Sequence, residues 1–397
     1  MKILQIIPNL RKGGAERLVL DILRQSLLQK TIETALVIFR NEIDYSIDDI
    51  AEHIKIIPSS VYLSLKRKPI LQLNELQNFI EEFEPNIIHT HLFEAELVSH
   101  FCNYPKAKWF SHIHDNMVQL KNFTFKTLSN KQALTNYYEK RVLFRNYQKN
   151  GGTHFIAISK HTESYIKSVQ SKYPITLLHN AINVKRFQKP TNSSPPALSE
   201  VEVRTPRTER SRSANPSPLT IINIGSFVPK KNQTFLLEII LELNKLNQKV
   251  NCIFLGDGPL KAEIEQRAKD LNIYDQCQFL GNVKNVEEYL WKSDIYVHTA
   301  TYEPLGLVLL EAMAAGLPVV TLDGGGNRDL IENGKNGFIL TQQNSKLFTE
   351  KLLSITNDLK KNEQISKYAK NFAKKFNIKN YCKYLAEIYN SRSIYFE

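Results

Sequence analysis

Cysteine is scarce in this chain. Cys102, Cys252, Cys277 and Cys382 are the only four in 397 residues. None stands in a CxxC spacing, so neither a zinc site nor a disulfide framework is expected. Reduced, scattered thiols suit a cytoplasmic protein. Long apolar runs are missing as well. The first run covers only Ile3 to Ile7, too short for the core of a signal peptide. No run approaches the roughly eighteen apolar residues of a spanning helix, so any membrane contact is expected to be peripheral, at the inner face of the cytoplasmic membrane. Nor is there an internal repeat of solenoid length. Acids are outnumbered, 40 Asp and Glu against 52 Lys and Arg, a net charge of +12. The surplus points to an anionic partner: a phosphorylated substrate, an anionic membrane or nucleic acid. What is present, 42% hydrophobic and 23% charged residues, describes a globular chain long enough for two domains.

Short apolar runs alternate with amphipathic ones, which predicts parallel βα units. In the first half the strands are expected at Lys2–Ile7, Thr34–Phe39, Ile54–Ile57, Asn86–His89, Lys108–Ser111, His154–Ala157 and Ile175–Leu178. Helices are expected between them, among others at Ile70–Phe83 and Lys160–Val169. The alternation fails from Lys189 to Pro218, a stretch with six of the sixteen prolines and interspersed Glu and Arg. Such a segment cannot bury enough surface to offset its ordering entropy, and it reads as a linker or insertion. The interspersed acids argue against nucleic acid there. The alternation then resumes, with strands expected at Leu219–Ile224, Val250–Leu255, Gln276–Leu280, Asp294–His298, Pro318–Leu322 and Phe338–Leu340. The division is therefore an N-terminal Rossmann-like domain over 1–188, a linker over 189–218 and a second Rossmann-like domain over 219–372. A C-terminal helical segment, 373–397, is expected to pack back toward the first domain. Two doubly wound α/β domains would face a central cleft at the carboxyl ends of their strands.

The stretch TATYEPLGLVLLEAMAAGLPVV, Thr299–Val320, is the most distinctive. A helix is expected to begin near Pro304 and to stop at Gly316. That places Glu303 ahead of the helix and Glu311 inside it, roughly 12 Å apart at 1.5 Å per residue. A buried carboxylate needs a partner. Both acids read either as structural groups, one capping a loop and one solvated, or as ligand contacts. Lys230 and Lys231 follow the first strand of this half, where a Lys reaches phosphate oxygens. The N–H groups of Leu305, Gly306 and Leu307 open the helix and suit a diphosphate.

The pattern Glu303-x7-Glu311 within EPLGLVLLEAMAAGLPVV resembles the signature of the retaining GT-B glycosyltransferases of family four. The likeness extends over most of the chain, through PNLRKGGAERLVLDI (Pro8–Ile22), HTHLF (His89–Phe93), SHIHDN (Ser111–Asn116), GSFVPKKNQ (Gly225–Gln233), LGDGPLK (Leu255–Lys261) and GGGNRDLI (Gly324–Ile331). The resemblance implies roles. Glu303 would contact the donor sugar and Glu311 the ribose. Lys231 would neutralise the leaving diphosphate. Gly13 and Gly14 would approach donor and acceptor, and His114 would stand near a sugar hydroxyl, unless it is an ordinary histidine at a strand end. Gly225 matches a glycine that many members follow with Arg. Here Ser226 follows, so Lys230 or Arg328 would supply the second cation, or the leaving group is less well stabilised.

The implied chemistry is front-face transfer, in which the departing diphosphate helps to deprotonate the acceptor hydroxyl. Lys231 and helix-terminal amides would stabilise the developing charge. There is no cofactor in this scheme and no metal, since no DxD dyad lies in a suitable loop. The basic stretch Lys121–Lys149 interleaves Lys and Arg with Phe123, Phe125, Tyr137, Tyr138, Phe144 and Tyr147. It reads as a helix for an anionic membrane interface, which would suit a lipid-linked acceptor, or as a core-facing helix, or as a nucleic-acid patch. The expected partners are a nucleotide-sugar donor, expected to be a UDP-sugar, and a glycan or lipid-linked acceptor, without nucleic acid. Two rivals are a GT-B sugar-nucleotide epimerase and a non-catalytic sugar-nucleotide-binding scaffold.

Overall fold

A computed structural model describes residues 1–64, 68–122, 130–190 and 218–391. The chain divides into two compact units, Met1–Ala181 with the terminal helix Ile378–Asn390, and Ile182–Asn377.

The first unit contains β1 (Lys2–Ile7), β2 (Glu33–Ile38), β3 (Ile54–Ile56), β4 (Ser60–Tyr62), β5 (Ile70–Gln72), β6 (Ile87–His91), β7 (Lys108–Ile113), β8 (His154–Ala157) and β9 (Ile175–Leu177). Seven of them form one parallel sheet in the order β3-β2-β1-β6-β7-β8-β9. Their near-continuous apolar runs are those of strands covered on both faces. Leu4, Ile6, Ile88 and Trp109 are buried on one side, and Ile3, Ile87 and Phe110 on the other. The helix Lys160–Val169 starts where Ser159 and Thr162 form a reciprocal capping box.

One expected helix is partly a strand. Ile70–Gln72 pairs antiparallel with Ser60–Tyr62, and the helix starts only at Asn74. Pro69 disfavours helix in the residue before it, and Ile70 opens an extended run that finds a partner in the preceding strand.

The second unit contains β10 (Leu219–Ile224), β11 (Val250–Leu255), β12 (Cys277–Phe279), β13 (Ile295–His298), β14 (Val319–Leu322) and β15 (Gly337–Leu340). All are parallel, in the order β12-β11-β10-β13-β14-β15. Their core joins Ile221, Phe254 and Val297 to Phe235 and Ile240 of the helix Gln233–Lys245.

The boundary differs from the expected one. Ile182–Gln188 belongs with the second unit because the Ile182 N–H donates to the Phe376 carbonyl (3.0 Å). Trp291 donates to the Phe187 carbonyl (2.7 Å) as well. The helix Ile378–Asn390 packs on Gly14–Leu27 of the first unit through Tyr381, Cys382, Leu385 and Tyr389. Apart from its ends, the expected linker 189–218 lies outside the described residues, as do Phe123, Phe125 and Lys126.

Strand order reverses between β1 and β6 in the first sheet and between β10 and β13 in the second. At such switch points loops diverge and leave a crevice at the carboxyl ends of the strands. No helix among the described residues is long and apolar enough to cross a membrane.

Candidate functional site

The second unit brings its distinctive residues together at the β10/β13 switch point. After β10 the chain makes a short 3-10 turn, Pro229–Lys231. That turn is tied to the loop after β13, because the Thr301 N–H donates to the Lys230 carbonyl and the Thr299 hydroxyl to the Lys231 carbonyl, both 2.9 Å. The Lys231 stem runs beside Gly225. Lys231 Nζ donates to Glu303 Oε2 at 2.5 Å. His298, the last residue of β13, stands with Nε2 at 3.0 Å from the same oxygen. The Tyr296 hydroxyl lies 3.2 Å from both His298 Nδ1 and the Ile224 carbonyl.

Burial alone would raise the Glu303 pKa. The charge of Lys231, with hydrogen bonds from His298 and Lys231, instead carries it well below the usual carboxylate range. Burial pulls His298 down, although its bond to Glu303 opposes this. His298 is thus a neutral donor to a permanent carboxylate. Burial, then the negative charges of Glu303 and Glu311, push the Tyr296 phenol well up. Tyr296 therefore lies within electrostatic reach of both acids.

The helix after Glu303 begins at Leu307, three residues later than expected, and runs to Ala315. Gly306 is the reason: its φ of 97° is left-handed and cannot continue a helix. Glu303 is therefore off the helix axis, and the roughly 12 Å axial separation does not apply. Leu305 and Gly306 are buried, Leu307 is half-buried, and Glu311 is buried within the helix. The Leu307 and Val308 N–H groups have no intrahelical acceptor.

Glu303 is also held from behind. Its N–H donates to the Gly324 carbonyl (2.8 Å), and its carbonyl accepts from the Gly326 N–H (2.9 Å). A Cβ on Gly326 would sit 1.7 Å from the Pro304 carbonyl, so the glycine loop is a backbone clamp on the Glu303 segment.

The two candidate substitutes for a second cation differ. Arg328 is exposed and bonded to both Asp323 oxygens, 2.7 and 2.8 Å from Nε. Lys230 is exposed with Nζ 5.6 Å from the centre of the Tyr302 ring. Neither joins the Lys231–Glu303 pair.

In the first unit Gly13 caps the helix Gly14–Leu27, with Gly14 its first residue. The Gly13 N–H donates to the Tyr45 hydroxyl (3.1 Å), which donates in turn to the Gly13 carbonyl (2.8 Å). His114 follows β7 directly and belongs to a ladder of imidazoles. His89 and His91 lie on one face of β6, and His112 and His114 continue one face of β7, with His91 opposite His112. The His112 and His114 rings stack 4.2 Å apart. His91 Nδ1 stands 2.9 Å from His114 Nε2. Burial, then the neighbouring imidazoles, hold His91 and His114 well below the ordinary value. Burial likewise brings His112 down to about 3.

His89, His91 and His112 could each offer a nitrogen to a metal ion, all within 4.8 Å of one another. Yet the His89 and His112 rings are parallel within 3°. Ring nitrogens bind in the plane of the ring, so the lone pairs of stacked rings run side by side and do not converge.

The basic stretch is a helix over Lys131–Lys149. Leu143 and Tyr147 sit in the core with Phe144 packed beside them, so these aromatics face inward. Tyr137, Arg141, Arg145 and Lys149 are exposed.

Sequence reasoning singled out Glu303, Lys231 and His114 but passed over His298, Tyr296 and the other three imidazoles. The overlooked signal was periodicity. Tyr296 and His298, His89 and His91, and His112 and His114 are each two apart at the carboxyl end of a strand, hence on one face.

Comparisons with known proteins identify the family and the fold. The family profile for glycosyl transferases group 1 matches residues 205–372, and that for glycosyltransferase family 4 matches residues 12–186. A Bacillus subtilis (strain 168) protein provisionally named glycosyltransferase EpsF is 25% identical over 333 residues, 81% of this chain and 79% of that protein. The Vi polysaccharide biosynthesis protein VipC/TviE of Salmonella typhi is 28% identical over 165 residues, 40% of this chain and 28% of that protein. Anabaena HepE, solved in complex with UDP-glucose, superposes with a TM-score of 0.74 at 21% identity, covering 98% of this chain and 99% of that one. WaaG, a glycosyltransferase involved in lipopolysaccharide biosynthesis, superposes with a TM-score of 0.69 at 16% identity, covering 98% of this chain and 100% of that one. The two α/β units thus form a GT-B fold.

Proposed function

We propose that this chain, which belongs to the group 1, family-four glycosyltransferases, moves a hexose from a UDP-sugar to a glycan or lipid-linked glycan with retention of configuration. Surface-polysaccharide synthesis is the proposed setting, supported by the likeness to VipC/TviE, a Vi polysaccharide biosynthesis protein, and to WaaG, a glycosyltransferase involved in lipopolysaccharide biosynthesis. A UDP-sugar donor is supported by the complexes of HepE with UDP-glucose and with UDP.

The observation that carries the reading is the Lys231–Glu303–His298 arrangement at the switch point of the second unit. Glu303 is a permanent carboxylate with one oxygen already holding two donors. Its other oxygen is the acceptor for a sugar hydroxyl. Lys231 lends its charge to the diphosphate as the glycosidic bond lengthens, and the Leu307 and Val308 N–H groups add fixed dipoles. Glu311 takes the ribose hydroxyls. Front-face transfer needs no protein nucleophile: the leaving diphosphate accepts the acceptor's proton as the new bond forms. Leaving-group charge is met by Lys231 and backbone dipoles, without a metal.

The test is release of UDP from a panel of UDP-sugars with and without membrane lipid extract. Acceptor-dependent release supports transfer, with the anomeric configuration of the product read by NMR. An isomerised donor would instead mean an epimerase, and UDP binding without turnover a scaffold. The exposed Tyr137, Arg141, Arg145 and Lys149 face is the proposed membrane contact. Binding to anionic but not neutral vesicles checks it.

A further inference from the structure

The ladder in the first unit is one hydrogen-bonded chain that runs through Gln5 and Tyr389. Gln5 of β1 lies beside His89 in the sheet register. Gln5 Oε1 stands 2.7 Å from His91 Nε2. Gln5 Nε2 donates to the Tyr389 hydroxyl oxygen at 3.3 Å. That oxygen lies 2.6 Å from His89 Nδ1. A carbonyl oxygen only accepts, so His91 carries its proton on Nε2. A neutral His91 then has its lone pair on Nδ1, which accepts from His114 Nε2–H. It follows that Nδ1 of a neutral His114 is bare. At the far end the phenol accepts from Gln5 and passes its own proton to His89 Nδ1. Every donor from His114 to His89 points the same way.

Exposure sets His114 apart. Its Nδ1, like His89 Nε2 and His112 Nδ1, is buried and has no partner among the described residues. His89, His91 and His112 are 0% exposed whereas His114 is 8% exposed, so it is the member at the edge of the ladder. Leu92, directly after His91, has a left-handed φ of 69°, an uncommon conformation for a leucine.

We infer that Gln5, His91 and Tyr389 are positioning residues that hold His114 in the tautomer with an unprotonated Nδ1, ready to accept a hydrogen bond from a substrate hydroxyl. The inference rests on the expectation that His114 stands near a sugar hydroxyl in the proposed transfer. It gives the terminal helix a chemical task. Lys108 Nζ bonds the carbonyls of Tyr389 (3.1 Å) and Ser391 (3.3 Å), and Leu385 and Tyr381 are buried beneath the helix. With the Gln5 amide N–H on the Tyr389 phenol oxygen, Oε1 is left to accept from His91. Without the phenol the amide can turn over, and the protons on both imidazoles reverse.

The test is 15N NMR of histidine-labelled full-length protein, which separates a bare ring nitrogen from a protonated one, together with kcat and KM for transfer. Tyr389→Phe should shift His114 toward a mixture of tautomers and lower kcat about three- to tenfold, with UDP affinity unchanged. Gln5→Glu in that background should restore the original signature, because a carboxylate only accepts; a folded double variant with a reversed signature contradicts the mechanism. An unaltered His114 signature with unaltered kcat in Tyr389→Phe overturns the inference. His114→Gln tests the underlying reading separately. If folded protein with that change transfers sugar normally, the sugar-facing role fails whatever Tyr389 does; if transfer is lost while Tyr389→Phe is silent, only the positioning role fails.

Discussion

The two switch points are built on one geometric plan and opposite electrostatics. Each places side chains two apart at the end of a central strand, His89 and His91 on β6, Tyr296 and His298 on β13. At the first switch point the four imidazoles of the ladder meet only neutral partners, among them Gln5, Tyr389 and Asn180, and burial keeps them uncharged. In the second a single histidine faces a carboxylate that a lysine holds ionised. The difference teaches what each can bind. A neutral ladder suits uncharged hydroxyls; a paired lysine and carboxylate can meet the charge that develops on a diphosphate.

The comparison breaks most sharply at Lys231. Lys231→Ala removes the cation while His298 still satisfies one Glu303 oxygen, so the fold should survive. Turnover should fall about 10²- to 10³-fold, the range for losing one preorganised electrostatic group, as measured by UDP release with acceptor present. Gly326→Ala comes next. Its Cβ would collide with the Pro304 carbonyl, and relief requires the Glu303 segment to move. Thermal unfolding should show a loss of about 1–3 kcal/mol, with reduced transfer, whereas Gly334→Ala, whose Cβ would meet nothing within 4 Å and which meets only the strain of a left-handed φ of 79°, should spare the transfer.

The pH dependence separates the units. His112 and His154 are lowered to about 3 and about 4 by burial. Burial likewise holds His89, His91 and His114 well below the ordinary value. Unfolded, each would bind a proton near 6.5, so below that pH the unfolded chain binds more protons than the folded one. Their contribution is full above pH 6.5 and is lost as pH falls. At about pH 5.5 the loss is on the order of 1 kcal/mol per imidazole. Glu303 is also lowered, from 4.5, so its contribution is lost only at more acid pH. Hydrogen exchange at about pH 7.5 and 5.5 should show the first unit losing more protection than the second, which has His298 as its one strongly buried imidazole among the described residues. Smallest of all is the choice of auxiliary cation. Lys230→Ala should weaken UDP binding by up to about fivefold. Arg328→Ala should change it less, because Asp323 already holds that guanidinium at the surface.

Much of this was legible beforehand because parallel strands write themselves as dense apolar runs. His154–Ala157, Leu219–Ile224 and Val250–Leu255 coincide with their expected bounds. Glu303 and Lys231 were legible as charged residues at strand-following loops. The start of the Glu303 helix was not, because it depends on the left-handed φ of Gly306 and on a glycine loop from a different strand pressing on Pro304. His298 and the ladder were missed for a related reason. Alternation shows that two histidines share a face, but their partners Gln5, Asn180 and Tyr389 come from far along the chain. Tyr147 misled in the other direction, since an aromatic in a basic helix gives no sign of which side is buried.

The most direct measurement is UDP affinity and turnover in Glu303→Gln, with Lys231→Ala alongside. If Glu303 serves the sugar and Lys231 the diphosphate, Glu303→Gln frees Lys231, so UDP should bind at least as tightly as to the unmodified protein while turnover falls about 10²-fold or more. Lys231→Ala should weaken UDP binding. Weakened UDP binding in folded Glu303→Gln with unchanged turnover at saturating donor would contradict the assignment.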